Sequence, residues 1–514
     1  MKQRMHRRLI AAALAALTLL LSACAASGGP DAPNSDTAPV TGTVQDTAAE
    51  TEPVETEPAE TDRADARDAL PDDLNLGGET LRIFARNDKN ILNYDVIGTD
   101  NTGDIVFDAV WERNQRVQER LNVKLDVHPS ESTSLNELKT LVPQMLRSGA
   151  DDYEMFITTD NSFVQNGLIA YLRAFNDAPY LDFDAPWWWT SAMLDLSLDN
   201  ETIQYLLGDL LTRNILTSAV IFANKDIWQN NFGDPDKMYD IVWDGKWTLD
   251  TFGEYARAAY QDVNGNGTLD EGDVVGFYGN EYQTIDYLTI GSDIYFVTHG
   301  EDGRLVLNPP DEKVSDFAEK LINLFYNEGA AMISVSSDES KLVPGFTQSR
   351  CLFLPDCLMS ATKAAMREME SDFAILPIPK YDENQAQYNT LCYAHSTNVC
   401  VPNTVNDDKF AAVCATVEAL SAESYRSVTE KLYETTLKVK YSRDAKSAQM
   451  LDLIMSNTRK NLVNEYGATL ANMHRILHIV VSSKSNTVTS EYKKTENAAK
   501  QSLDKLFAEL DKIK

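Results

Sequence analysis

The chain has 514 residues and a formal charge of −32, from 78 acidic against 46 basic side chains. That balance excludes a nucleic-acid partner, whose phosphates need a basic footprint, and it opposes binding of a polyanion unless a local basic pocket supplies the charge. With six cysteines in a chain this long, a disulfide framework is not needed to hold the fold.

Lys2, Arg4, Arg7 and Arg8 precede an apolar run from Leu9 to Leu21. A basic stretch followed by about a dozen apolar residues reads as a secretory signal, too short to span a bilayer. The next residues, Leu21-Ser22-Ala23-Cys24, resemble the lipobox of bacterial lipoproteins. That implies removal of residues 1–23 and lipidation of Cys24, which ties the protein to the membrane; the alternative is a plain signal peptide with a cysteine nearby. More than one acyl chain makes such an anchor lasting. From Ala25 to Asp73 the chain is Pro, Thr, Ala, Asp and Glu, with 13 acids against Arg63 and Arg67. It cannot bury enough apolar surface to fold, so 24–77 reads as an extended, self-repelling leash.

The body opens with a strand at Thr80–Ala85 that ends at Arg86-Asn87-Asp88. Phe107, Val110, Trp111, Asn114, Val117 and Leu121 fall on one helical face, and Val123, Leu125 and Val127 alternate as a strand. A second helix carries Leu135, Leu138, Leu141, Val142 and Met145. Tyr153–Ile157 is the next strand, ending at Thr158-Thr159-Asp160-Asn161. Strand, helix, strand, helix, strand predicts a parallel sheet covered on both faces. Ligands of such sheets sit at the carboxyl ends of the strands. This makes Arg86, Asn87, Asp88, Asp160 and Asn161 candidate contacts, each with a loop or helix-cap role as the alternative.

Further on, Ser218–Lys225 is a strand, and Gly245-Lys246-Trp247-Thr248 opens a helix bearing Phe252 and Tyr255. Asp262-Val-Asn264-Gly-Asn266-Gly267-Thr268-Leu-Asp270-Glu-Gly-Asp273 then matches the twelve-residue EF-hand calcium loop. Oxygen side chains stand at loop positions 1, 3, 5, 9 and 12, Gly267 makes the sharp turn, and Thr268 would ligate through its carbonyl. Asp273 replaces the usual Glu, which predicts modest affinity. Because Val274–Tyr278 reads as a strand, the loop lacks the second helix of a sensor, and the expected Ca2+ is structural; the alternative is an Asx/Gly-rich turn. Cys351, Cys357, Cys392, Cys400 and Cys414 mostly lie in apolar runs and read as buried thiols, with a Cys351–Cys357 bridge the less favoured alternative. Phe373–Pro377 is a late strand, and the chain from Lys409 to Leu510 reads as mainly helical.

Taken in order, the lipobox, Asn224-Lys225, Gly245-Lys246-Trp247-Thr248 and Leu376-Pro377-Ile378-Pro379-Lys380-Tyr381 resemble the family-1 extracellular solute-binding proteins of ABC importers. The resemblance implies a two-lobed α/β type II periplasmic-binding-protein fold, with a hinge and an interlobe cleft that closes on solute. Lobe 1 would be 78–222 with about 398–425, lobe 2 would be 223–397, and 426–514 would be helices serving both. Hinge strands are expected near Val220–Asn224 and Phe373–Pro377. By the same resemblance the ligand is a carbohydrate, the partner an ABC permease, and the protein a monomer outside the cell. Sugar recognition adds Trp187 and Trp188 as aromatic platforms, with lobe packing as the alternative, and Asn280, Tyr282, Asp356 and His395 as rim candidates. A peptide receptor of the same fold, or a surface carbohydrate-active enzyme, are the rival readings. The sequence holds no G-x-S-x-G, H-E-x-x-H or P-loop motif.

Overall fold

The strand Glu79–Ala85 (β1) buries Leu81, Ile83, Phe84 and Ala85, as a parallel strand with helices on both faces must. It is followed by Ile105–Leu121 (α1), Val123–Pro129 (β2), Leu135–Ser148 (α2) and Met155–Thr159 (β3). The Asp104 carboxylate caps α1 by accepting from the Val106 and Phe107 amides at 3.1 and 3.2 Å. Asn122, at φ 48°, closes the other end. The strand expected at Tyr153–Ile157 starts and ends two residues later. The computed structural model describes residues 63–100, 103–149, 151–159, 168–327, 330–334, 341–393, 396–433 and 445–512.

The chain continues through Thr190–Leu196 (α3), Ala219–Asn224 (β4), Leu249–Ala258 (α4), Val275–Asn280 (β5), Gln283–Gly291 (α5), Val297–His299 (β6), Leu305–Leu307 (β7) and Glu312–Ile322 (α6). Then come Ala331–Ser334 (β8), Cys351–Cys357 (β9), Phe373–Leu376 (β10), Thr390–Leu391 (β11), Thr397–Cys400 (β12), Asp407–Glu423 (α7) and Thr458–Arg459 (β13). Leu462–Tyr466 (α8), Arg475–Ser482 (α9) and Val488–Leu510 (α10) complete the body.

Two sheets repeat one plan. In the first, ordered β12-β3-β1-β2, the earliest strand lies between the second and third and is parallel to both. In the second, ordered β10-β4-β9-β5-β8, β5 lies in the same way between β8 and β9. Beside the third strand of each sheet runs an antiparallel one, β12 against β3 and β4 against β9. These two antiparallel strands follow the stretches where the chain changes sheet. The fold is therefore α/β with two sheet-and-helix lobes.

The crossings run side by side. Ser218 bridges Cys392, the Tyr393 amide donates to Thr217 O at 3.3 Å, and the Cys392 amide donates to Arg459 O at 3.0 Å. β11 and β13 pair in parallel alongside them. This moves the expected hinge. β4 is buried along its whole length and lies between β9 and β10, with Phe373 in register with Asn224. Val220–Asn224 thus belongs to a sheet interior, where pairing on both sides forbids free rotation, and Phe373–Leu376 is the edge strand hydrogen-bonded to it. The chain leaves the first sheet after Leu206, which bridges Val399, and returns between Leu391 and Thr397.

Two of the segments that carry the family resemblance touch. Trp247 donates its indole N–H to Pro377 O at 2.9 Å, and the Leu249 amide donates to Lys380 O at 2.7 Å. The five cysteines of the described residues are free thiols, Cys357 the least buried. Among the described residues no helix is long and apolar enough to cross a membrane.

Candidate functional site

At the carboxyl end of the first sheet the Arg86 amide donates to Ile157 O at 3.2 Å, which fixes the residue beside β3. Its side chain has a weak 3.4 Å bond to Thr133 O and stands 3.5 Å from Asp88, while its buried Nε has no hydrogen-bond partner. Burial, with Arg213 close by, lowers the guanidinium pKa, and Asp88 opposes the shift. The hydroxyls of Thr158 and Thr159 at the end of β3 are likewise buried and unpartnered. Buried polar groups usually find partners, and these three at the end of one sheet are exceptions. Asn87 donates its amide to Ser130 Oγ. Asp88 caps the turn at Lys89–Ile91, accepting from the Asn90 amide at 2.9 Å. Asp160, Asn161, His395 and Cys24 lie outside the described residues.

At the end of β5 in the second sheet, Asn280 is buried and caps α5, accepting from the Tyr282 and Gln283 amides at 2.9 and 3.1 Å. Tyr282 packs on His478 with ring centroids 5.0 Å apart. Asp356 accepts from the Cys357 amide and from Ser360 Oγ, 2.7 and 2.6 Å away. Sequence reasoning missed the groups around Tyr282. His478 meets Asp286 at 2.8 Å, Ser482 donates to Glu281 at 2.6 Å, and burial pushes His474 down to about 4. The available signal was the pair of histidines four apart on an apolar helix, which places both rings on one face.

Trp187 and Trp188 are not platforms for a solute. Both are buried, and both indole N–H groups donate to one carboxylate, Glu418 of α7, at 3.2 and 2.9 Å. An interior indole needs an acceptor, and Glu418 supplies one for each ring. Burial pushes that carboxyl up to about 7.

The 262–273 loop is closed by a bridge between Gln261 and Val274. Asp262 accepts from the Gly265 and Gly267 amides at 2.7 and 2.8 Å, both glycines having positive φ. Asp270 collects Asn264 at 3.0 Å, Asn266 at 2.6 Å and the Gly272 amide at 2.7 Å. Asn266 Oδ1 accepts from the Thr268 amide, and buried Asp273 accepts from the Val263 and Asp270 amides. The donor set is all oxygen, which suits a hard cation. Among the described residues no three His, Cys, Asp or Glu side chains stand close enough together to hold a metal.

A cavity of about 290 Å³ lies where three distant stretches meet, with Asp195 and Asn200, Tyr295 and Val297–His299, and Arg459, Lys460 and Leu462 on its wall. No local motif links residues so far apart, so the sequence alone did not reveal it.

No family model and no curated protein matches this chain. Solved structures do. A family 1 extracellular solute-binding protein superposes with a TM-score of 0.56 at 10% identity, over 83% of this chain and 100% of that one. UgpB from Mycobacterium tuberculosis, in complex with glycerophosphocholine, superposes with a TM-score of 0.51 at 14% identity, over 84% and 100%. The chain has the fold of the extracellular solute-binding proteins. In that solute-binding fold the paired crossings at Thr217–Ser218 and Cys392–Tyr393 are where the two lobes are joined.

Proposed function

We propose that this chain is an extracellular solute-binding protein, lipid-anchored through Cys24, that captures a carbohydrate and presents it to an ABC importer. The observation that carries this reading is the pair of like-ordered sheets with adjacent, hydrogen-bonded crossings between them. Such an arrangement lets the lobes rotate against each other while both cores stay packed, the geometry of a hinge. A solute bound between them favours the closed form, and a permease that prefers that form reads the solute as present.

The residue chemistry supports a hydroxyl-rich ligand. Arg86, Thr158 and Thr159 offer unmet donors and acceptors at one sheet end, and the chain carries no motif of a hydrolase. In this reading the protein binds and releases its solute without altering it. The loop 262–273 is proposed to hold a structural Ca2+ through Asp262, Asn264, Asn266, Asp270, Asp273 and the Thr268 carbonyl, which would pin the end of α4 to the start of β5.

Differential scanning fluorimetry of the mature chain against mono- and oligosaccharides tests the function. A ligand raises the melting temperature by mass action and is recovered unchanged. Stabilisation by peptides alone, or turnover of a glycan, overturns the carbohydrate-receptor reading.

A further inference from the structure

The last residues of the stretch that the sequence marks as a leash lie on the body. Arg120 of α1 donates through both Nη atoms to Asp68, 2.7 Å each, and Arg426 donates to Ala66 O at 2.9 Å. Such a bidentate pair, here with the acid largely buried, fixes orientation as well as position. Leu70 is buried in the main core, and the Leu76 amide donates to Leu121 O at 2.7 Å. These partners belong to α1 and to the helical stretch Ser424–Val428 that continues α7 and packs on α1. The segment is therefore held by the first lobe.

Arg63, at the start of this segment, sits in a cage. Its guanidinium carbon stands 4.3 Å from the Tyr425 ring centroid and 5.2 Å from that of Tyr433, where ring faces attract a cation. Two carboxylates close the cage, Asp209 at 3.8 Å and Asp452 at 3.6 Å. They are not equal. Asp452 is more than half exposed, so its pairing is weak. Asp209 is buried, accepts from Thr429 Oγ1 at 2.7 Å, and faces Arg63 as its cation. Burial raises its carboxyl pKa, and Arg63 is the foremost influence opposing the rise. A buried carboxylate stripped of its counter-charge is costly, and this one takes that charge from a residue ahead of β1.

We propose that the pocket of Asp209, Tyr425 and Tyr433 is a docking site for the end of the membrane tether, with Arg63 as its plug. This rests on the Cys24 anchor of the receptor reading and adds to it the place where the leash meets the body. The leash is then 24–62. It hangs from the first lobe, which leaves the second lobe to swing relative to the membrane.

Hydrogen exchange of the mature chain, read by mass spectrometry, tests this without any solute. In the wild type the peptide 64–70 should exchange slowly, since the Ala66 and Leu70 amides are both bonded. Arg63→Gln should speed that exchange about tenfold or more, as local opening becomes easier, while β1 and β3 exchange as before. Equal rates in the two proteins would overturn the docking site. Arg63→Gln should also lower the melting temperature. In an Asp209→Asn background, where no carboxylate needs a counter-charge, the same substitution should lower it much less. An equal loss in both backgrounds would overturn the pairing with Asp209, and with it the plug. Neither measurement depends on sugar binding, so the docking site and the receptor reading fail separately.

Discussion

Thr397 donates its hydroxyl to Asp95 at 2.7 Å, joining residues 302 positions apart. The other Asp95 oxygen accepts from the Arg213 amide, also at 2.7 Å. One buried carboxylate therefore holds both the chain leaving the first sheet and the chain returning to it. Burial pushes Asp95 up to about 6, and Arg213 and Arg113 oppose the shift. Thr397→Val should cost about 1–3 kcal/mol, because it leaves a buried acceptor without its donor. Urea denaturation at pH 7 measures this; an unchanged midpoint would show that the hydroxyl is not needed.

Glu418 gives a pH dependence of definite sign. Its folded-state pKa, about 7, lies above its ordinary 4.5, so the folded chain holds the extra proton between those values. Its contribution to stability is therefore greatest below pH 4.5 and falls as pH rises through 7, by up to about 3 kcal/mol. Glu418→Gln cannot titrate. Relative to that variant, the wild type should lose stability between pH 5 and pH 8. A difference that stays constant across that range contradicts the assignment.

Glu154 has the opposite sign. It takes Arg82 and Lys409 together, the latter at 2.9 Å, and is held down to about 2. Its stabilising contribution is complete above pH 4.5 and is lost as pH falls toward 2. Glu154→Gln should lower stability by about 2 kcal/mol at pH 7 and flatten the acid side of the stability profile. Thermal melts from pH 2.5 to 7 compare the two.

Chelation tests the loop. With Ca2+ bound, chelator should lower the melting temperature and added Ca2+ restore it, since a ligand that binds only the folded form stabilises it. Asp270→Ala removes the residue on which Asn264, Asn266 and the Gly272 amide converge, and should abolish the response. A wild-type melt indifferent to chelator would leave the loop as a hydrogen-bonded turn.

Arg86→Ala tests the sheet end. Its guanidinium makes one weak bond to Thr133 O and stands 3.5 Å from the Asp88 carboxylate, so the melting temperature should fall only slightly. Sugar affinity should fall about tenfold or more through loss of a charged donor. Equal affinity in calorimetry would remove Arg86 from the site.

The strands and helices of the first lobe were legible because apolar periodicity is a local signal, as at Phe107, Val110 and Val117. The hinge was misplaced because β4 and a linker strand look alike in sequence, and only pairing with β9 and β10 shows that β4 is interior. Trp187 and Trp188 misled for a related reason. Indole suits sugar stacking and core packing equally, and the deciding partner, Glu418, lies some 230 residues on. Tyr295, Asp195 and Arg459 could not be grouped at all, since they meet only after the chain has crossed between the sheets.

Small-angle X-ray scattering of the mature chain, with and without a saturating sugar found by the melting screen, measures lobe closure directly. A smaller radius of gyration in the bound form is the result expected of two lobes rotating about the crossings at Thr217–Ser218 and Cys392–Tyr393. Identical scattering from free protein and from protein that calorimetry shows to be saturated would contradict a hinged receptor.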